Sequence, residues 1–318
     1  MNPRPIHELV IDGGKVRLDE RTLIMGVLNV TPDSFSDGGH HLEPTRAIAH
    51  GLELARQGAD WIDVGGESTR PGSLGVTAEE ELHRVLPVIR GLRRQLRGVP
   101  ISIDTTKAEV AEQALRAGAS IINDVSGLRF DSRLAEVARR HGCPLILMHI
   151  RGRPETMQQK PFVRSIWRSL GNGLAWSIRR ALAVGIRRSQ LIIDPGLGFG
   201  KSRRQNYEIL IHLERLRRFG LPLLVGSSRK SFVQAVATGE GIESLRRRGR
   251  RAGPWPLTRP VAGQQTTPLE IADAAAVVAA ILGGAHIVRV HDVAAMLPAI
   301  RIADALVGAS ARRPSASP

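Results

Sequence analysis

The segment Ile101-Ser-Ile-Asp-Thr-Thr-Lys-Ala-Glu-Val-Ala-Glu-Gln-Ala-Leu-Arg-Ala-Gly-Ala-Ser-Ile-Ile-Asn-Asp124 decides the fold. It opens on a short apolar run, Ile101–Ile103, that hands the chain to Asp104. An amphipathic stretch follows from Ala108 to Ala117, and a second apolar pair, Ile121–Ile122, ends in Asn123 and Asp124. A short strand, a helix and another short strand at this spacing describe a βα unit that returns to a parallel neighbour.

The same alternation continues on both sides. Further strand-like runs are Leu23–Leu28, Trp61–Val64, Pro144–Met148, Leu191–Ile193, Leu223–Val225 and Ile287–Val290. Helical patterns cover Pro44–Gln57, Ala78–Gln95, Ser132–Arg140, Arg164–Val184, Glu208–Phe219 and Leu269–Leu282. Eight such units predict a single (β/α)8 barrel over residues 21–307, with its active site at the C-terminal ends of the strands. A doubly wound open sheet is the competing architecture. Residues 1–20 read as an N-terminal extension. The Arg-, Gly- and Pro-rich stretch at 237–267 reads as an exposed basic insertion, and 308–318 has the composition of a disordered tail.

Composition agrees with this architecture. The 318 residues hold one barrel of about 250 residues with additions. Hydrophobic residues make up 42 % but aromatics only 3 %, which favours Ala-, Val-, Ile- and Leu-built parallel strands over an aromatic-rich sandwich. Cys143 is the sole cysteine, so no intrachain disulfide forms, and burial as an inert thiol is expected. The N-terminus shows no secretory signal and no segment reads as long enough to span a membrane, which points to a cytoplasmic protein.

The net charge of +15 raises the question of nucleic acid. Arginines gather on helix faces (Arg90, Arg93, Arg94 and Arg97; Arg215, Arg217 and Arg218) and in Arg246–Arg251. There is no RNP-like strand, no zinc-finger spacing and almost no aromatic interleaving for base stacking. A basic surface that concentrates small anions is the better reading.

The residues at which the strands end carry the functional signal. In chain order they are Asn29, Gly65–Gly66, Asp104, Asn123–Asp124, His149, Asp194, Ser228–Lys230 and Arg289–His291. One Asp or Asn after a strand is often only a helix cap. Eight polar exits of mixed chemistry converge, in a barrel, on one face. In Asp194-Pro-Gly-Leu-Gly-Phe-Gly-Lys-Ser202, glycines are suited to bring backbone close to a ligand while Lys201 adds charge. The spacing is one residue short of a nucleotide-triphosphatase loop, which excludes that reading. The stretches Asn29–Gly39 and Gly65–Gly72 read as long functional loops that close over substrate. Asp63, Asp124 and His149 read as structural, Glu67 as a brace for its loop, and His40, His41 and His50 show no metal spacing.

At these residues the chain resembles the dihydropteroate synthase family, from about Leu23 to Val293. The resemblance rests on Met25–Gly39, Gly58–Gly72, Ile101–Leu115, Gly118–Gly127, Leu145–Gln158, Ile192–Ser202, Val225–Phe232 and Gly284–Val293. Family members often begin the last long helix with an Arg-x-x-Gly-Thr-like motif. Here the place reads Gln-Thr-Thr-Pro-Leu-Glu after the basic insertion.

The resemblance implies a (β/α)8 barrel that joins 6-hydroxymethyl-7,8-dihydropterin pyrophosphate to para-aminobenzoate, giving 7,8-dihydropteroate and pyrophosphate in folate biosynthesis. It gives Asp194 the paired N–H groups of the pterin edge, and Asn123, Asp104 and Lys230 the remaining edge and ring heteroatoms. Arg289 stacks on the pterin and helps hold the diphosphate, and Met148 is an apolar wall. By the same resemblance Asn29 is expected to be the Mg²⁺ ligand. Arg70, Arg289 and His291 form the anion site with it. Thr69, Pro71 and Phe35 line the aminobenzoate pocket and Ser228 contacts its carboxylate. The family forms homodimers. A corrinoid-dependent pterin methyltransferase shares the Asp104, Asn123 and Asp194 pattern, but is not expected to carry the loops Asn29–Gly39 and Gly65–Gly72. A paralogue that binds pterin without catalysis is the non-enzyme alternative, against which the intact loops and Arg289-Val-His291 argue.

Overall fold

The computed structural model describes residues 4–31, 42–238 and 266–311. Phe35, nearly all of the basic insertion and residues 312–318 lie outside them.

The chain begins with an antiparallel hairpin, β1 (Glu8–Ile11) and β2 (Gly14–Arg17). Its turn places Asp12 at φ 52° and Gly13 at φ 77°, as a two-residue hairpin loop with the twist of its strands requires. This Asp-Gly turn between alternating residues is the legible signal for a hairpin in what reads otherwise as an extension.

Eight parallel strands follow: β3 (Leu23–Asn29), β4 (Trp61–Gly65), β5 (Ile101–Asp104), β6 (Ile121–Asp124), β7 (Leu145–Met148), β8 (Leu191–Asp194), β9 (Leu224–Val225) and β10 (Ile287–Val290). Their order, β8-β7-β6-β5-β4-β3-β10-β9, is that of a barrel opened at one seam. The seam is bridged where Ile193 meets Leu223 in parallel and the Ile193 amide donates to the Pro222 carbonyl at 3.0 Å. The barrel expectation holds and the open-sheet alternative does not.

The helices are α1 (Leu42–Arg56), α2 (Ala78–Gln95), α3 (Ala108–Ala117), α4 (Leu134–His141), α5 (Ile166–Ala183), α6 (Arg203–Ile211), α7 (Ser231–Ala237), α8 (Pro268–Leu282) and α9 (Val293–Ala311). Their ends follow local chemistry. Gly118 stops α3 in the left-handed conformation, returning its amide to Ala114 and Leu115. Thr267 and Glu270 form a capping box with Pro268 in the first turn, so the Thr-Pro-Leu-Glu sequence starts α8 firmly.

Three features differ from the sequence reading. The stretch Glu208–Phe219 is not one helix. A capping box of Ser202 and Gln205 starts α6 earlier, His212 leaves helical geometry, and Leu213–Phe219 continues as a 3₁₀ turn. The chain after residue 307 is helical as far as Ala311. Third, one segment does meet the length and polarity of a membrane span: Val293–Ser310, mean hydropathy 1.5. It is α9, which lies against α8 and sends Met296, Ile300 and Ala303 into the core.

Two apolar layers hold the fold. The larger fills the space between strands and helices. The smaller lies at the N-terminal end of the barrel, where Leu9, Ile11 and Leu18 of the hairpin pack on Leu23, Met25, Trp61, Ile121 and Ile287. The extension is therefore a floor. Trp61 is 2 % exposed within it, so truncation to alanine costs about 3–5 kcal/mol.

Candidate active site

The opposite end of the barrel carries the polar exits. Asn29, Asp104, Met148 and Asp194 are the last residues of β3, β5, β7 and β8, and Asn123 is next to last in β6. Parallel register sets them at one level: Asn29 pairs with Gly65, Asp104 with Asn123, and Met148 with Asp194.

Asp104, Asn123 and Asp194 are all buried. Asp104 Oδ2 accepts from an Arg289 terminal nitrogen at 2.8 Å, while Oδ1 is buried without a partner among the described residues. Asp194 Oδ1 accepts the Gly196 amide at 2.6 Å. Burial pushes the Asp104 carboxyl up to about 7, against the pull of Arg289, and Asp194 to about 6, against the Gly196 amide and Lys230. Burial, with Arg289 adding to it, lowers Lys230 to about 8. A buried acceptor with nothing to accept from suits a ligand that brings its own N–H donors.

Lys230 leaves β9 through the turn before α7, and its Nζ lies 4.0 Å from the centre of the Phe199 ring. Phe199 joins Met148, Val125, Ile150 and Met157 in an apolar patch. Phe199 was not singled out from the sequence, although it sits inside the glycine-rich run already noted.

That run works differently from the sequence reading. Gly196 and Gly200 have φ of 63° and 64°, and a Cβ on either would collide with the carbonyl of His149 or Arg151. The glycines admit a neighbouring loop, not a ligand. Lys201 is 2 % exposed and gives its three N–H donors to the carbonyls of His149, Gly196 and Phe199 at 2.7–3.0 Å. It fastens the loop and has no donor left for a phosphate.

The rim is cationic. Arg289 on β10 is fixed by two carboxylates, Asp63 at 2.6 Å and Asp104 at 2.8 Å. Asp63 Oδ2 also receives the Asn123 amide at 3.0 Å, so the structural role read for Asp63 includes orienting two site residues. His291 is held to about 3 by burial and by Arg289, Arg229, Lys230 and Arg70. Arg70 is exposed on the loop after β4. Thr69 and Pro71 flank it there, partly buried and exposed respectively.

This loop is braced. Glu67 Oε1 accepts the Val76 amide at 2.9 Å, and Lys107 bridges Glu67 at 3.0 Å and the buried Glu81 at 2.6 Å. The Gly72 amide donates to Pro154 at 3.0 Å. The brace role of Glu67 is as expected; its partners Lys107 and Glu81 gave no sequence signal. A cavity of about 420 Å³ lies behind the loop, between Thr69, Lys107, Phe130 and Arg153.

Ser228 is turned inward. Its hydroxyl contacts Asp273 at 3.2 Å and His291 Nδ1 at 3.2 Å, and receives the His291 amide at 3.4 Å. One donor and two acceptor positions are thereby used, so the Ser228 hydroxyl meets internal partners in this structure. Ser231, exposed at the start of α7, is the neighbouring serine with an open hydroxyl among the described residues.

Among the described residues no cluster of His, Cys, Asp and Glu forms a metal cage. Asn29 contributes one amide oxygen, 3.8 Å from where a Gly65 Cβ would stand, with no described hydrogen-bond partner. One hard oxygen ligand fits Mg²⁺, which keeps waters and phosphate oxygens in its other positions.

The buried acceptor edge, apolar wall and cationic rim on one barrel face are those of a pterin-binding barrel, and the family model for pterin binding enzymes matches residues 25–291. A dihydropteroate synthase of Synechocystis is 43 % identical over 96 % of this chain and 95 % of its own length. That of Escherichia coli is 41 % identical over 90 % and 92 %. The structure of Xanthomonas albilineans dihydropteroate synthase with 4-aminobenzoic acid superposes with a TM-score of 0.79 at 39 % identity, covering 95 % of this chain and 98 % of that one. The chain belongs to the dihydropteroate synthase family, a family of transferases.

Proposed function

We propose that this protein condenses 6-hydroxymethyl-7,8-dihydropterin pyrophosphate with para-aminobenzoate to give 7,8-dihydropteroate and pyrophosphate. The observation that carries the reading is the unpartnered buried oxygen of Asp104, level with Asn123 and Asp194 and beneath a rim of Arg70, Lys230, Arg289 and His291. A pterin presents a fixed edge of donors and acceptors. Asp194 accepts its paired N–H groups, and Asp104, Asn123 and Lys230 bind the rest. Met148 and Phe199 wall the ring. Arg289, immobilised by Asp63 and Asp104, has one nitrogen left for the pterin face or the diphosphate.

Asn29 would hold Mg²⁺ together with diphosphate oxygens, and the ion would neutralise charge on the departing oxygen. Arg70 and Arg289 stabilise the same charge, with His291 beside them. Thr69 and Pro71 line the aminobenzoate pocket, to which the resemblance also gives Phe35, outside the described residues; its carboxylate meets Ser228 or the exposed Ser231 beside it. No side-chain nucleophile is required: the residues orient the amine toward the exocyclic carbon and stabilise the leaving group.

The exposed apolar residues Ile271 on α8 and Ile302 and Leu306 on α9 support a homodimer through these helices. The unpaired, buried Cys143 suits a cytoplasmic location. The test is incubation of purified protein with pterin pyrophosphate, Mg²⁺ and para-aminobenzoate. Dihydropteroate and pyrophosphate are expected in equal amounts, with turnover abolished by chelator and restored by Mg²⁺. No product under these conditions refutes the assignment.

A further inference from the structure

The turn that delivers Lys230 contains a left-handed residue that is not glycine: Arg229 has φ 56°. That conformation is unfavourable for a side chain bearing Cβ and persists only when its surroundings hold it. The holder is Asp273, in α8, 4 % exposed and outside the substrate-binding set. Both its oxygens lie 3.0 Å from the Arg229 amide, and Oδ2 lies 3.2 Å from Ser228 Oγ.

We propose that Asp273 is a positioning residue with two separable outputs. It holds the left-handed turn that aims Lys230 at the pterin, and it sets the direction of the hydrogens through Ser228 so that His291 carries its proton on Nδ1 and leaves Nε2 bare. The proposal rests on the reading of the site given above.

The direction follows from counting. An ionised carboxylate only accepts, so the single hydroxyl hydrogen of Ser228 points to Asp273. The two lone-pair positions of Oγ then face the His291 amide at 3.4 Å and Nδ1 at 3.2 Å. An acceptor opposite Nδ1 requires Nδ1 to bring the hydrogen. Arg70, Arg229, Lys230 and Arg289 surround the ring with positive charge and disfavour a second proton. Nε2 has no partner among the described residues and is left as an acceptor. At the rim, Arg70 and Arg289 therefore supply the positive charge, while His291 accepts from a protonated group of the substrate or leaving diphosphate.

The test uses the full-length protein labelled with ¹⁵N-histidine, with His291 assigned by loss of its signals in His291→Gln. The wild-type spectrum is expected to show the Nδ1–H tautomer. Asp273→Asn keeps an oxygen for the Arg229 amide but presents an N–H to Ser228. The serine hydrogen then turns to His291, the tautomer switches to Nε2–H, and pterin affinity stays within about twofold because the turn is intact. Ser228→Ala moves the population in the same direction. Asp273→Ala also loses the turn, and pterin affinity falls about tenfold or more. A wild-type Nε2–H tautomer overturns the proposal, as does an unchanged tautomer in Asp273→Asn and Ser228→Ala. Equal pterin affinity in Asp273→Ala and wild type overturns the turn-holding output. The spectra need no substrate, so they decide the proposal even if the synthase assignment fails, and the two milder variants decide it if Asp273→Ala does not fold.

Discussion

Arg289 on β10 donates from Nε to Asp63 on β4 at 2.6 Å, across the intervening strand β3. The accepting oxygen also takes the Asn123 amide at 3.0 Å. One fully buried carboxylate oxygen thus fixes Arg289, proposed for the anion site, and Asn123, proposed for the pterin edge, together.

Asp63→Asn is therefore expected to affect both stability and catalysis. Breaking a buried ion pair costs about 3–5 kcal/mol when the remaining charge is stranded; here Asp104 still holds Arg289, so about 2–3 kcal/mol is expected. Turnover should fall by about tenfold or more as Arg289 and Asn123 lose their orientation. Urea denaturation and steady-state rates check this, and a wild-type midpoint with wild-type turnover would remove Asp63 from the positioning set.

If Asp194 accepts from the pterin as proposed, pterin binding is expected to depend on pH. Its carboxyl is raised to about 6 by burial, so it is ionised above that pH and protonates as the pH falls through it. Because the pterin edge needs acceptors and the Asp104 carboxyl is itself raised to about 7, affinity should be greatest above about pH 7 and decline in two steps, through about pH 7 and then about pH 6, with proton release on binding in that range. Asp194→Asn should weaken pterin by roughly 2–4 kcal/mol and remove the lower step. Calorimetry between about pH 5 and pH 8, in buffers of different ionisation enthalpy, reads both quantities. An unchanged affinity in the variant would contradict the assignment.

Gly196→Ala places a methyl group against the His149 carbonyl at a φ of 63°. The left-handed conformation alone costs about 1–2 kcal/mol, and the collision adds to it. Since the Gly196 amide caps Asp194 Oδ1 at 2.6 Å, the damage should reach the pterin site and lower affinity as well as melting temperature. A variant that loses stability while keeping full pterin affinity would show that the loop can move without disturbing Asp194.

Aminobenzoate, and sulfonamides that mimic it, should bind well only when pterin and pyrophosphate are present. Their proposed pocket includes Thr69 and Pro71 on the loop that carries Arg70, and contacts from Arg70 to bound diphosphate would complete it. Substitution of Thr69 or Pro71 should shift sulfonamide affinity with little effect on pterin. Equilibrium binding of a labelled sulfonamide with and without the two partners tests the coupling; equal affinity in both conditions would dismiss it.

The barrel was legible because apolar runs and helical stripes alternate without ambiguity, and Ala78–Gln95 and Ala108–Ala117 are the helices as read. The site was legible as a set of strand ends, since period and polarity place Asp104, Asn123 and Asp194 on one face before any contact is known. What the sequence hides is pairing over distance. Nothing near Asp273 marks it as the partner of Ser228, and nothing in Lys107 points to Glu67 and Glu81. The role of Lys201 was misread for a related reason. A lysine after glycines suggests an anion, and only the fold shows three carbonyls taking its donors. The Asp12-Gly13 hairpin was legible in principle, but short alternation at a terminus is weak beside eight βα units.

The pairing of β3 with β10 has a bearing on how the molecule is made. Leu23 pairs with Ile287, and Arg4 reaches Asp304 at 2.8 Å across a separation of 300 residues. The first barrel strand to leave the ribosome therefore waits for the last, and the floor hairpin has no complete barrel to seat on until β10 has been made. Contacts this remote in sequence form slowly. Throughout that interval the nascent chain exposes the edge of β3 and the apolar face of the hairpin, the kind of surface that holding chaperones bind.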